Sequence, residues 1–148
     1  MAYTNALSAY KETRIRTASP GQLIVLLYDG AVKQLDKSLE LLNLNKSGKN
    51  DPARIELIGK AIIKARDIIS ELMVSLNFDQ GGEIAQNLFS LYTWFNKELI
   101  EANIHQDLRR ITVIRNQLSE LRNAWAEIVS KAGAETESKA VTGVNIAG

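Results

Sequence analysis

Residues 17–30, TASPGQLIVLLYDG, contain the start of a helix and fill that helix with aliphatic side chains. Ser19 is a preferred capping residue, and Pro20 suits the first helical position because its missing N–H would be unpaired there anyway. Gln22 follows Ser19 at the spacing of a capping box. The stretch therefore predicts a helix that begins at residue 20, and it carries no group suited to catalysis.

Similar signals recur along the rest of the chain. Asp51 and Pro52 predict a second helix start, residues 77–82 (NFDQGG) predict a turn, and Asp107 is the expected N-cap of a fourth helix. Between these points apolar residues recur at steps of three and four, as they do on one face of an α-helix. The four stripes are Leu23, Leu27, Ala31, Leu35, Leu39 and Leu42; Ile55, Ile58, Ile62, Ala65, Ile69, Leu72 and Leu76; Ile84, Leu88, Leu91, Phe95, Leu99 and Ala102; and Ile111, Ile114, Leu118, Leu121, Trp125, Ile128 and Ala132.

The connections between these helices are short, and no stretch has the alternating pattern of a strand. Short helix–helix connections make neighbouring helices antiparallel. We therefore predict an all-α fold, an antiparallel up-down-up-down four-helix bundle over residues 19–132. Residues 1–18 are expected to form an N-terminal arm, and residues 133–148, which are mostly small and polar, a mobile C-terminal tail.

The composition argues against several classes of partner. The chain of 148 residues has 18 Lys+Arg against 17 Asp+Glu, a formal charge of +1. It therefore lacks the excess of positive charge that would predict binding to nucleic acid or anionic lipid. No apolar run approaches the ~18–20 residues that span a bilayer, and no signal peptide is visible. There is no cysteine, which fits a reducing compartment. We expect a cytoplasmic protein without membrane insertion.

The residues do not predict an enzyme. His105 is the only histidine of the chain, whereas a di-iron bundle needs two, and a lone histidine without cysteine leaves little for nucleophilic catalysis. We interpret His105 as a solvated loop residue. Residues 79–83, DQGGE, lack the lysine of a phosphate-binding loop. We therefore expect no catalytic residue, no cofactor and no metal.

Tyr28 and Tyr92 both occur early in helices, beside the apolar row. A tyrosine in such a position can bury its ring and keep its hydroxyl at the rim of the bundle. We expect both to have structural roles.

The helices carry more apolar residues than one bundle seam requires. On the second helix Leu57, Ala61 and Ile68 lie beside the seam and widen the apolar arc to roughly 160°. Such residues could complete the lateral packing of the bundle or form a groove for a helix from another protein, with Leu7 and Tyr10 of the arm lying over it. The candidate partner-binding residues are Leu7, Tyr10, Leu57, Ala61, Ile68, Phe89, Trp94 and Val113.

Three longer stretches carry a further signal. They are residues 10–31, YKETRIRTASPGQLIVLLYDGA; residues 76–103, LNFDQGGEIAQNLFSLYTWFNKELIEAN; and residues 121–128, LRNAWAEI. In this order they resemble the flagellin-specific export chaperones of the FliS family, and the resemblance extends from Tyr10 to about Val129.

The resemblance implies a function. A protein of this family would hold the disordered C-terminal segment of flagellin in apolar grooves, prevent its premature polymerisation and deliver it to the flagellar type III export apparatus. The arm with Leu7 and Tyr10 would help to cover a groove when no client is bound. The alternative is a self-associating helical bundle, a structural or adaptor protein whose surplus apolar surface forms a weak homodimer.

Overall fold

The computed structural model describes residues 19–48 and 50–147, and it describes side chains only as far as residue 133. Leu7 and Tyr10 therefore lie outside the described residues. Within the described part the chain forms four helices and no strand. The helices are α1 (Pro20–Ser47), α2 (Pro52–Val74), α3 (Phe78–His105) and α4 (Leu108–Ala147). The prediction of an all-α fold with four long helices is confirmed.

The predicted caps start three of these helices. Ser19 and Gln22 form a reciprocal capping box, with the Gln22 N–H donating to Ser19 Oγ at 3.2 Å and the Ser19 N–H donating to Gln22 Oε1 at 2.9 Å. The Asp51 carboxylate accepts from the first turn of α2 at 3.0 Å. Asp107 accepts from the Arg110 N–H at 3.2 Å. Each cap satisfies a donor that the helix itself leaves unpaired.

The turn predicted over residues 77–82 is wrong in part, because α3 already begins at Phe78. Asn77 accepts from the Gln80 N–H at 3.1 Å and caps one helical turn, which begins at Phe78. Gly82 then interrupts the helix with φ 52° and ψ −124°, a conformation open to glycine and strained for other residues. The chain therefore bends at Gly82 and continues directly as the main part of α3.

The connections between the helices span residues 48–51, 75–77 and 106–107, so consecutive helices run antiparallel. Helix α1 packs on α2 and α4, and α3 also packs on α2 and α4, with the α3–α4 contact the least extensive of the four. The helices thus close a ring around one core. Its largest fully buried side chains are Tyr28, Leu35, Leu42, Ile58, Ile62, Ile69, Leu72, Tyr92, Phe95, Leu99, Ile111 and Ile114.

Two ion pairs join α1 and α4. Arg115 Nε lies 2.8 Å from Asp36 Oδ1, and Arg122 Nε lies 2.7 Å from Asp29 Oδ1. The partners on each helix are seven residues apart, which is two helical turns, so the pairs repeat along one antiparallel seam. Because all four side chains are partly exposed, each pair contributes only about 0.2–1 kcal/mol. Their main effect is to favour one register.

The predicted seam of α2 is wrong in detail. Ala61 and Ile68, which we expected beside the core, are 2% and 6% exposed and belong to it, whereas Ile55 of the predicted seam is 39% exposed. For Ile68 the reason is the close approach of α1 at Gly30, where an added Cβ would lie only 3.3 Å from Ile68 Cδ1. Contact with α1 turns the buried arc of α2 toward that helix.

Helix α4 continues past residue 132, where we expected the bundle to end. Its backbone is helical to Ala147. Residues 132–140, AGAETESKA, include alanine, glutamate and lysine, which are strong helix formers, so the helix has no local reason to stop. The predicted mobility of this tail stays a prediction.

Candidate functional site

Large apolar side chains remain exposed among the described residues, and they cluster on the outer edges where neighbouring helices meet. We name each edge after its two helices. The register of each helix pair follows from contacts between the helices, and the 100° step of the α-helix then gives the direction of every residue.

The α2/α3 edge carries the largest share of the exposed apolar residues. Its register follows from Asn96 Nδ2, which lies 3.2 Å from Ser70 Oγ. Phe89 and Ile100 lie within about 40° of Asn96 around α3, and Ile63 lies at a similar angle from Ser70 around α2. The exposed apolar residues of this edge are Ile63, Val74, Phe78, Phe89 and Ile100, whereas the exposed Ile104 lies about 80° from Asn96, on the outer face of α3.

An aromatic pair lies at one end of the α2/α3 edge. The rings of Phe78 and Phe89 are 5.9 Å apart with an interplanar angle of 64°, a favourable edge-to-face arrangement. Phe78 reaches Phe89 because the chain bends at Gly82. Both rings remain more than 40% exposed, so the pair stabilises the bend and still presents apolar surface to a partner.

The α3/α4 edge carries a second exposed group. Glu98 Oε2 lies 3.5 Å from Arg110 Nε and sets the register. Trp94 precedes Glu98 by one turn, and Val113 follows Arg110 by one turn, so these two exposed side chains lie at a similar level on the two sides of the edge. Ile84 and Ile128, which are 70% and 56% exposed, lie further along it.

Ile84 and Ile128 correct the predicted seams of α3 and α4, in which both were expected to be buried. Their burial would require α3 and α4 to pack closely, and contact between these two helices is the least extensive of the four packed pairs. The apolar stripe of the two helices therefore continues onto the surface.

A smaller group lies on the α1/α2 edge. Asn45 Oδ1 accepts from Arg54 Nη1 at 3.3 Å, which places the end of α1 beside the start of α2. Leu57 lies on the α1-facing side of α2, close in angle to Ile68. Leu44 and Leu57 are 47% and 44% exposed on this edge.

The structure separates the predicted partner-binding residues. Leu57, Phe89, Trp94 and Val113 are exposed, but they lie on three different edges instead of in one groove. Ala61 and Ile68 are enclosed in the core of the free protein, so they offer no surface to a partner. The sequence reasoning missed the exposed residues Ile63, Phe78 and Ile104, although a helical wheel places Ile63 and Ile104 clearly off their seams.

Charged and polar side chains border the apolar surface of the α3/α4 edge. Arg110 lies 3.5 Å from Glu98 and from Asp107 and 4.0 Å from Glu101, and His105 Nε2 lies 3.4 Å from Glu101. His105 is exposed at the end of α3, at the boundary with the loop. The side chains of residues 19–133 include no cluster of histidine and carboxylate groups that could hold a metal ion.

None of the helices in the described part of the chain is long and apolar enough to cross a membrane. An all-α bundle whose exposed edges are apolar has the features of a protein that binds other proteins. The comparisons with known proteins agree. The chain belongs to the FliS family, because the family pattern described as "Flagellar protein FliS" matches residues 3–132.

Similar proteins of known name show which class of protein this family contains. The flagellar secretion chaperone FliS of Salmonella typhimurium is 34% identical over 122 residues, which cover 82% of this chain and 84% of the relative. The FliS chaperone of Bacillus subtilis is 28% identical over 87% of this chain and 90% of its own. A crystal structure of a flagellar chaperone from bacteria matches with a TM-score of 0.62 at 23% identity, over 86% of this chain and 98% of that one, which supports the same fold.

The predicted family is therefore confirmed. This is a family of flagellar secretion chaperones and not of enzymes.

Proposed function

We propose that this chaperone binds the disordered C-terminal segment of flagellin along its apolar edges, in the cytoplasm, before export. It keeps flagellin from polymerising prematurely and delivers it to the flagellar type III export apparatus. The observation that carries the proposal is the exposed apolar surface of the bundle, together with membership in a family of flagellar secretion chaperones.

The placement of this surface favours a client that winds around the bundle. The three apolar edges follow one another around the ring, and a single straight helix can occupy only one of them. An extended client with short helical pieces can reach several in turn. Burial of apolar surface then stabilises the complex by roughly 25 cal/mol per Å², against the cost of ordering a disordered segment.

A client of this kind needs no cofactor for binding. Apolar docking is driven by removal of surface from water, and release follows when the export apparatus or a competing surface removes the client. We therefore propose that the chaperone works by binding alone.

The test is isothermal titration of the full chain with the flagellin of the same organism, and with flagellin that lacks its C-terminal segment. Full-length flagellin is expected to bind, and the truncated form is expected to lose binding. Equal affinity for both forms would contradict the proposal. Sedimentation of the free chain over a range of concentrations tests the alternative, since a self-associating adaptor would form a tight dimer without flagellin.

A further inference from the structure

The middle of the α2/α3 edge contains a polar site between two apolar groups. Asn96 on α3 donates from Nδ2 to Ser70 Oγ on α2, 3.2 Å away. Ser70 Oγ in turn donates to the backbone carbonyl of Arg66 at 3.0 Å. Because the single hydroxyl proton of Ser70 is used in that bond, Ser70 can only accept from Asn96. This fixes the amide nitrogen of Asn96 toward Ser70 and leaves its oxygen for another donor.

Two polar atoms of this site have no hydrogen-bond partner, although both are shielded from solvent. They are the acceptor Asn96 Oδ1 and the donor Arg66 Nε. Arg66 precedes Ser70 by one helical turn, so the donor and the acceptor belong to the same part of the edge. A shielded polar atom without a partner is unfavourable, and pairing it with a group from another molecule recovers free energy.

We propose that Arg66 and Asn96 set the register of the docked client by pairing with one carboxamide side chain, from an asparagine or a glutamine. This inference rests on the proposed function. A carboxamide offers a carbonyl oxygen to Arg66 Nε–H and an N–H to Asn96 Oδ1. A carboxylate would oppose the Asn96 oxygen, and an ammonium group would oppose the Arg66 guanidinium. Both residues are only half-buried, so rotation of the long Arg66 side chain opens the site to a docked segment.

The apolar residues on either side cannot set a register by themselves. Ile63 and Ile100 lie on one side of the polar site and Val74 and Phe89 on the other, and apolar contact is non-directional, so a helix can slide along them. One polar position in an otherwise apolar seam restricts such sliding, as it does in coiled coils. The client is thus expected to carry its carboxamide between two apolar residues at heptad-like spacing.

The experiment is a double-mutant cycle by isothermal titration. The probe is a synthetic peptide of the C-terminal segment of the flagellin of the same organism, with each asparagine and glutamine replaced by alanine in turn. It is titrated into the full chain and into the Asn96→Ala variant. At one peptide position, the alanine replacement is expected to weaken binding to the wild-type chain about tenfold, and to weaken binding to the Asn96→Ala variant by a clearly smaller factor, because only the contact with Arg66 is then left to lose.

Asn103→Ala is the matched control. It lies on the same face of α3, seven residues after Asn96, and its side-chain oxygen already accepts from Gln106 Nε2 at 3.5 Å. It is expected to show no coupling to any peptide position. If circular dichroism shows that Asn96→Ala has lost helix, the cycle is repeated with Asn96→Leu, which keeps the volume and removes the amide.

Additive effects at every peptide position would overturn the inference and leave Arg66 Nε and Asn96 Oδ1 as sites for bound water. That outcome leaves the proposed function intact, because the peptide still binds. A wild-type chain that does not bind the peptide overturns both.

Discussion

The hydroxyl groups of Tyr28 on α1 and Tyr92 on α3 hydrogen-bond to each other across the centre of the bundle. Both side chains are fully buried, and their ring centroids are 6.4 Å apart. We had expected the two hydroxyls at the rim. They meet inside instead, because α1 and α3 lie diagonally opposite each other in the ring. Each hydroxyl therefore replaces the water molecule to which the other would hydrogen-bond at the surface.

This pair predicts a strong coupling between two conservative substitutions. Tyr28→Phe leaves the buried Tyr92 hydroxyl without this partner, and Tyr92→Phe leaves the Tyr28 hydroxyl with only the Trp125 indole beside it. Each single substitution is expected to lower the free energy of unfolding by about 1–2 kcal/mol. The double substitution is expected to cost clearly less than the two single costs added together. Urea denaturation of the four proteins measures the cycle, and additive single effects would show that the hydroxyls do not pair in solution.

The same pair predicts a loss of stability at alkaline pH. Burial raises the pKa of the Tyr28 hydroxyl well above its ordinary value, and the neighbouring Tyr92 adds to the rise. Burial likewise raises the pKa of Tyr92. Below pH ~10 the folded and unfolded chains both keep these protons; above it only the unfolded chain releases them, so stability falls as the pH rises.

The expected loss from this source is about 1–3 kcal/mol between pH 9 and pH 11. It is measured as the difference in urea midpoint between the wild type and the Tyr28→Phe/Tyr92→Phe protein at each pH, since the remaining titrating groups are common to both. An identical pH dependence of the two proteins would contradict the prediction.

Two glycines in helices are expected to respond oppositely to alanine. A Cβ on Gly21 would lie 2.6 Å from Val129 Cγ2, so in Gly21→Ala either the Val129 side chain must rotate or α1 must move away from α4, and the substitution is expected to cost about 1–3 kcal/mol. A Cβ on Gly133 would meet nothing within 4 Å. Gly133→Ala is therefore expected to stabilise the protein by about 0.5–1 kcal/mol through helix propensity.

Thermal unfolding of the two glycine variants provides the measurement. An unchanged midpoint for Gly133→Ala would mean that α4 is frayed at residue 133, as the predicted mobile tail implies. An unchanged midpoint for Gly21→Ala would mean that the contact with Val129 is looser than described.

Charge substitutions on α2 should separate surface from core. Leu57→Glu places a carboxylate on an exposed edge, so the helices are expected to persist while flagellin binding weakens by about tenfold or more. Ile68→Glu buries a charge without a partner and is expected to unfold the bundle. Circular dichroism and titration with flagellin distinguish the two effects.

Asn43→Glu is the control for these substitutions, because it adds the same charge at an exposed position of α1 away from the apolar edges. It is expected to change neither folding nor binding. Tight flagellin binding by Leu57→Glu would exclude the α1/α2 edge from the client site.

Local features of the fold were predictable from the sequence, and features that depend on distant residues were not. Ser19, Asp51 and Asp107 cap helices through bonds within a few residues, so a pattern in the chain is enough to find them. Ala61 and Leu57 lie on similar sides of α2, yet only Ala61 is buried. Their difference depends on contacts with the other helices, which no pattern within α2 contains.

The candidate site was predictable only as a surplus of apolar residues. Counting such residues on α2, α3 and α4 indicates that some surface is left over, but the edge to which each belongs depends on contacts between helices, such as Asn96 with Ser70 and Arg110 with Glu98. Phe78 was missed because its exposure beside Phe89 follows from the backbone bend at Gly82.

The seam between α1 and α4 has a consequence for biosynthesis. Arg122 and Asp29, which pair across it, are 93 positions apart along the chain, so the ring cannot close until most of the polypeptide has left the ribosome. Until then the nascent chain exposes the apolar faces of its first three helices, and such exposure promotes aggregation. This flagellar chaperone therefore passes, during its own synthesis, through a stage in which it is itself prone to aggregate.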